Sequence, residues 1–400
     1  MMNRVKRIVN GELVKLKNHS NKRDNSIWLF GEWFGKRCCD NCMYLANHVA
    51  DAHPEISIFW ASEKDADLSD LDSRVKRLVF GTEEAADIYK KAGVVFMNQD
   101  FRDFSKEGYN YFSGALTINL WHGVMWKHIG HDGSENKGIY KAYAKVLDAL
   151  YGAEAYMAVS EDYARICGTA FGAGPEQIIR AGAPRNSVFY SPEKVRAARE
   201  RVLRVLSEET GLEHGADTKI ITYMPTFRDK AENAFSFEDL PEDDKLIRWL
   251  EENNAVILQK AHFVTQQRNE LQGGNSQKRV YPFNDVAAQI LLAATDLLVT
   301  DYSSCFFDYL LLDRPIVHYL YDYDYYLNHD RGMYYKKEEV VCGDVAENKE
   351  ELSEMIIRNI EDPAKDHDLR VLRKEQYMTY ETPDSCEVIV QEVKKRLNIE

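Results

Sequence analysis

The sequence predicts an α/β protein made of two Rossmann-like, doubly wound domains. Three observations predict it. From residue 26 onward, short apolar runs alternate with longer amphipathic stretches, the pattern of parallel strands joined by crossover helices. The alternation falls into two sets, with a break near residues 185–215. The chain has 400 residues, 44% hydrophobic and 29% charged, which exceeds one compact domain and suits two.

The elements follow in order. Residues 1–23 carry Arg4, Lys6, Arg7, Lys15, Lys17, Lys22 and Arg23 against the single acid Glu12. Val5, Ile8, Val9, Leu13 and Leu16 fall on one helical face within that basic stretch. Residues 1–25 therefore read as a short amphipathic basic helix suited to an anionic membrane surface. The plainer reading is a surface helix packed on the body. Gly11 weakens such a helix by about 1 kcal/mol relative to Ala. The first domain, residues 26–190, takes its strands from Ile27–Phe30, Ile56–Trp60, Val75–Phe80, Val94–Met97, Leu116–Leu120 and Ala155–Val159. Ser191-Pro192-Glu193 then opens a helix, with Ser at the cap and Pro in the first turn. The second domain, residues 191–400, takes its strands from Ile220–Met224, Val256–Gln259, Val280–Tyr281, Leu297–Thr300 and Ile316–Leu320. A helical pattern over Ser385–Leu397 closes it, and the acidic stretch 229–246 reads as a mobile loop.

Several function classes are disfavoured. No run of about 18 apolar residues exists to span a membrane, and the N-terminus lacks the apolar block of a secretory signal. The net charge of −14 argues against nucleic acid as a partner. Of seven cysteines only Cys38, Cys39 and Cys42 cluster, with no second CxxC, so reduced thiols in a cytosolic protein are expected. P-loop, dinucleotide-fingerprint and nucleophile-elbow motifs are missing from the sequence.

Open parallel sheets bind ligands beyond the carboxyl ends of their strands, so the residues that follow each apolar run are the candidates. Leu116–Leu120 leads into Trp121-His122-Gly123, and Ile220–Met224 into Pro225-Thr226-Phe227-Arg228. Val256–Gln259 leads into Lys260-Ala261-His262, and Leu297–Thr300 into Asp301-Tyr302-Ser303-Ser304. Those types bind phosphate and move protons. Each also has a structural reading. His122 is either a general base or a histidine satisfied by a backbone carbonyl. Ser303 and Ser304 either help hold a phosphate at a helix start or merely cap it. Arg228 offers a phosphate fork or a surface pair with Asp229. Lys260, His262 and Arg331 have hydrated surface readings. His128 and His131 lack metal-ligand spacing with His122, and Asp322-Tyr323-Asp324 lies in a stretch so rich in Asp and Tyr that a DxD match carries little.

Taken together, GEWFGKRCCDN (31–41), LWHGVMWKHIG (120–130), AGAPRNSVFY (181–190), YMPTFRD (223–229), ILQKAH (257–262), TDYSSCFFDYLLLDRPIVHYLYDYDYY (300–326) and RGMYY (331–335) resemble the CDP-glycerol glycerophosphotransferase family. The resemblance implies two domains in the GT-B arrangement, facing a cleft that holds the active site. It implies a CDP-alditol donor, with CDP-glycerol foremost, and a lipid-linked polymer acceptor at the cytoplasmic face of the bacterial membrane, where the enzyme works peripherally. Teichoic acid or capsule-type polymers are the implied products. The implied catalytic residues are His122 as base and His262 as diphosphate partner. Arg228, Lys260, Asp301, Ser303, Ser304 and Arg331 fall on the donor side, with Asp301 structural in its turn. Gly123, Lys127 and Arg185 fall on the acceptor or cleft side. Neither metal nor cofactor is implied, and the oligomeric state stays open. Val124-Met125, Phe263 and Ser187 stand where the family usually has Thr-Pro, Pro and Asp, and these departures bear on donor alditol and acceptor. The rival readings are a GT-B glycosyltransferase using a nucleotide sugar and a membrane-docked assembly factor that retains the fold without catalysis.

Overall fold

Strands covered on both faces are near-continuous apolar runs, and Ala92–Met97 in one sheet and Leu297–Thr300 in the other are built that way, buried along their whole length. The computed structural model describes residues 2–133, 152–226, 235–260, 276–329 and 332–399. The chain divides into two units. The first takes in the chain up to His122, then Ile129–Ser187 and Thr379–Glu400; the second takes in Gly123–His128 and Val188–Met378.

The first unit holds seven parallel strands: β1 (Asp24–Gly31), β2 (Ser57–Ser62), β3 (Lys76–Val79), β4 (Ala92–Met97), β5 (Leu116–Asn119), β6 (Ala155–Ala158) and β7 (Ile178–Arg180). Their order is β3-β2-β1-β4-β5-β6-β7. The second unit holds six: β8 (Lys219–Met224), β9 (Ala255–Gln259), β10 (Val280–Pro282), β11 (Leu297–Thr300), β12 (Ile316–Tyr319) and β13 (Asp344–Ala346), ordered β10-β9-β8-β11-β12-β13. Strand order reverses between β1 and β4 in one sheet and between β8 and β11 in the other. A crevice at the carboxyl ends is expected at each reversal.

Three local expectations are revised. The sequence predicts a second domain running to residue 400, but Thr379–Glu400 packs with the first unit. The cause is a set of polar contacts that no hydrophobic pattern reveals. Glu381 accepts from the Ala183 N–H (2.8 Å) and the Asn186 side chain (2.9 Å), and the Tyr380 N–H donates to the Val159 carbonyl (2.9 Å). The acidic stretch 229–246 is not loop throughout. Phe237, Leu240 and Leu246 are buried in the core with Trp249 and Leu250, and the helix Lys245–Glu252 begins inside the stretch. Its many acids hide three well-placed apolar anchors. Finally, the segment 123–128 belongs with the second unit. Lys127 forms an isolated antiparallel bridge with Met333. The indole of Trp126 donates to the Tyr335 carbonyl (3.1 Å) and is enclosed by Tyr302 and Phe306.

The N-terminal helix Met2–Asn18 lies in the first unit. Beyond it, Arg23 locks the chain down by donating to the carbonyls of Tyr89 (2.6 Å), Ser113 (2.8 Å) and Tyr111 (3.2 Å). Gly11 is buried, whereas Val9, Leu13 and Leu16 are 52%, 60% and 68% exposed. Their i, i+4, i+7 spacing makes one outward apolar stripe.

Candidate active site

The carboxyl ends of β1, β4 and β5 are adjacent in the first sheet, and each contributes to one cluster. After β5 the chain turns at Trp121 (φ 53°) and passes through Gly123 (φ 148°). The second angle favours glycine, so the glycine after His122 is a backbone requirement. Between them stands His122, half-buried. Its Nδ1 lies 3.2 Å from the Asn98 carbonyl at the end of β4. A carbonyl only accepts, so the bond requires Nδ1 to carry the proton and leaves the lone pair of the neutral ring on Nε2. The carbonyl contact is the satisfied-histidine reading, and it also fixes the ring's orientation and tautomer.

Aromatic rings border the imidazole. Trp121 stacks on it with centroids 4.5 Å apart, and Trp33 lies 5.3 Å away. Trp33 follows β1 in a left-handed stretch with Phe34 and Gly35 (φ 48°, 58° and 72°). Such angles at non-glycine residues cost about 1–3 kcal/mol each, so the turn must be held. Asp103 holds it, accepting from the Phe34 N–H (2.7 Å) and, through its other oxygen, from the N–H groups of Asn98 (3.0 Å) and Gln99 (2.8 Å). One carboxyl therefore fixes both the strained turn beside His122 and the residue whose carbonyl orients it. Burial pushes the Asp103 carboxyl up to about 8, against the pull of those N–H donors.

Arg185 is placed differently from the acceptor-side role expected for it. It is 6% exposed, and its guanidinium donates to Asp40 (3.0 Å) and to the His122 carbonyl (2.7 Å). Asn41 donates to the Leu120 and Trp121 carbonyls (3.3 and 2.9 Å) while accepting from the Arg185 N–H (3.2 Å). Glu32, fully buried, accepts from the Cys39 and Asp40 N–H groups; burial and the Asp40 carboxylate push its carboxyl up, toward the neutral form. Arg185 thus secures the backbone at His122. Glu32, Asp40, Asn41, Asn98 and Asp103 had no assigned role in the sequence. Their signal was present, since Glu32, Asp40 and Asn41 sit inside the 31–41 motif and buried acids at strand ends need partners.

In the second unit, β8 and β11 meet at the strand-order reversal. Asp301, just after β11, accepts from the Thr226 N–H (2.8 Å) just after β8, and the Thr300 hydroxyl donates to the Met224 carbonyl (2.7 Å). Asp301 is thereby a brace between two strand ends. Ser303 and Ser304 follow it, half-buried, ahead of the helix Cys305–Tyr309. The expected capping is weak: Ser304 makes no side-chain cap bond, and the Ser303 hydroxyl is 3.5 Å from the Cys305 N–H. Lys260 is buried and its ammonium donates to the carbonyls of Asn284 (3.1 Å) and Val286 (2.6 Å), so it shapes that loop. Asp322 accepts from the Tyr302 hydroxyl (2.9 Å), a structural contact. Arg228, His262 and Arg331 lie outside the described residues.

Two outcomes follow from this geometry. Arg185→Ala strands a buried Asp40 and should cost about 3–5 kcal/mol in urea unfolding; a loss below 1 kcal/mol would mean the pair is dispensable. Asp103 binds a proton in the folded state that the unfolded chain releases near pH 4, so native stability should fall as pH rises from about 4 to 8. Asp103→Asn forfeits one N–H acceptor, yet its unfolding curves should show a shallower decline over that window. Parallel declines in the two proteins would exclude Asp103 as the source.

The comparisons with known proteins agree with one another. Residues 12–395 match the family described as CDP-glycerol:poly(glycerophosphate) glycerophosphotransferase. The teichoic acid glycerol-phosphate transferase of Staphylococcus aureus is 28% identical over 294 residues, 70% of this chain and 71% of that one. The teichoic acid poly(glycerol phosphate) polymerase of Staphylococcus epidermidis is 27% identical over 328 residues, 79% of this chain but only 43% of that one, so this chain spans less than half of the polymerase. A solved structure of the wall teichoic acid polymerase TagF shares the fold, with a TM-score of 0.75 at 20% identity over 100% of this chain and 98% of the other. The chain belongs to the CDP-glycerol:poly(glycerophosphate) glycerophosphotransferase family.

Proposed function

We propose that this enzyme moves glycerol phosphate, or a close alditol phosphate, from a CDP-alditol to a hydroxyl of a lipid-linked acceptor and releases CMP. The acceptor oxygen forms a bond to the phosphorus distal to the nucleoside. The bridging P–O bond breaks, and CMP leaves with the electron pair. The acceptor proton goes to Nε2 of His122. The observation that carries this reading is the 3.2 Å contact of Nδ1 with the Asn98 carbonyl, which reserves the other ring nitrogen as the basic one.

Charge builds on the leaving phosphate as that bond breaks, and donors must offset it. The reading gives this work to the second unit. Ser303 and Ser304 offer hydroxyls and backbone N–H groups, and the Asp301–Thr226 brace sets the turn that presents them. Arg228, His262 and Arg331 are the proposed cationic partners of the diphosphate. Lys260 and Arg185 hold backbone rather than substrate. A base from one unit and a donor grip from the other is the division of labour of a GT-B enzyme.

The N-terminal helix supplies the proposed membrane contact at the cytoplasmic face. An outward stripe of Val9, Leu13 and Leu16 amid basic residues suits an anionic lipid surface. No helix among the described residues is long and apolar enough to cross a membrane.

The reading is tested by incubating the protein with CDP-glycerol, CDP-ribitol or UDP-sugars and a lipid-mimic acceptor. CMP release with alditol phosphate transfer is expected. Release of UDP with sugar transfer would replace it with glycosyl transfer, and donor binding without turnover with the assembly-factor reading. In the same assay His122→Gln should lower kcat by about two to four orders of magnitude while donor affinity is kept; unimpaired turnover removes His122 from the role. Replacing Val9, Leu13 and Leu16 together by Ser should weaken co-sedimentation with phosphatidylglycerol vesicles at least about a hundredfold. Undiminished binding would assign the membrane contact to another surface.

A further inference from the structure

A second constellation of ionisable groups lies away from His122, where the C-terminal helix Ser385–Leu397 meets the helix Asn41–Ala52. His48 stands on the latter helix and His53 is its C-cap residue. The Nε2 atoms of both rings lie 2.9 Å from the same carboxylate oxygen, Oε2 of Glu387. The three donor atoms are all within 4.8 Å of one another.

The groups around them fix each ligand's orientation. Glu387 turns Oε2 toward the imidazoles because Oε1 accepts from the Gln391 amide (2.6 Å). Nδ1 of His53 faces Oε1 of Glu55 at 3.3 Å, and Lys394 donates to the same oxygen (3.2 Å). Nδ1 can bond that carboxylate only by donating. With a metal on Nε2, this contact is the carboxylate–histidine–metal arrangement that fixes the ring's orientation.

We propose that His48, His53 and Glu387 bind a divalent transition-metal ion of the zinc type, which pins the C-terminal helix to the first unit. Two imidazoles and one carboxylate form a donor set suited to zinc. A tetrahedral ion with bonds near 2.0–2.1 Å holds its donors about 3.3 Å apart, so the 2.9 Å separations need open by only about 0.4 Å. Burial is uneven: the His53 side chain is 11% exposed, but those of His48 and Glu387 are 31% and 36% exposed. Water therefore reaches the fourth position, and the ion can enter from solvent.

The test uses tag-free, full-length protein, first stripped with chelator. One equivalent of Co2+ should give the intense visible absorption of a tetrahedral N/O site, and Zn2+ should displace it. Calorimetry with Zn2+ should show one-to-one binding, and the thermal midpoint should rise with Zn2+. His48→Ala, His53→Ala and Glu387→Gln should each weaken Zn2+ affinity at least about a hundredfold, and Glu55→Gln about tenfold. Far-UV dichroism of each metal-free variant checks folding; Glu387→Gln keeps the hydrogen-bonding shape should an alanine variant fail. Absence of stoichiometric uptake by the parent protein overturns the proposal. So does uptake that persists in His48→Ala/His53→Ala and disappears on thiol alkylation, since the chain has free thiols that include the half-buried Cys39.

Discussion

The bond from His122 Nδ1 to the Asn98 carbonyl is the contact on which the rest of the first unit's site depends. A backbone carbonyl can orient an imidazole without placing a full negative charge beside it. That choice moves the burden to the backbone, which must hold Asn98 and residues 120–123 in fixed relation. Asp103 does so from the β4 side and Arg185 from the β5 side. The strained residues Trp33, Phe34 and Trp121 gather at the same place. Strain persists only where surrounding contacts over-determine it. The three N–H bonds to Asp103 and the Arg185–Asp40 pair supply that over-determination.

The buried acids can be understood in the same terms. Glu32, Asp40 and Asp103 are buried close to His122, and an isolated buried carboxylate is costly. Asp40 takes a guanidinium, whereas burial pushes both Glu32 and Asp103 toward their neutral forms, Asp103 against the pull of three backbone N–H donors. The result is a polar lattice beneath His122 in which members position one another, although Glu32 Oε2 and Asn98 Nδ2 are buried without a hydrogen-bond partner among the described residues. This accounts for the acids and the Asn in the motif 31–41, where a plain strand-to-helix turn would need none of them.

Much of this was legible from residues alone, for a physical reason. Central strands such as β4 and β11 are largely apolar because both faces are covered, so they stand out, and the polar residues that end them stand out by contrast. His122 and the Asp301–Ser304 turn were found that way. β7 and β13, each three residues long at a sheet edge, were missed, whereas β10, equally short and also at an edge, was read from Val280–Tyr281. Lys260 was found as a cation at a strand end and Arg185 only through the family resemblance, but a cation that binds phosphate and one that binds carbonyls look alike in sequence. Glu381 and Glu387 were invisible as partners because their contacts, Ala183, Asn186, His48 and His53, lie about 200 or more residues away in the chain.

The charge distribution joins these pieces. The chain is −14 overall, yet residues 1–23 carry seven cations against one acid. A uniformly acidic protein would be repelled from an anionic bilayer and from a diphosphate alike. Concentrating positive charge in a terminal helix with an outward apolar stripe restores attraction where lipid is met, and the remaining acids can then repel the surface and keep the body off it. The donor needs far less. A diphosphate held by a turn, two hydroxyls and a few cations feels local dipoles more strongly than a net charge screened over about 8–10 Å. An acidic body is therefore compatible with both proposed partners, provided positive groups sit at those two places, and the seven cations against one acid in residues 1–23 meet that condition for the lipid surface.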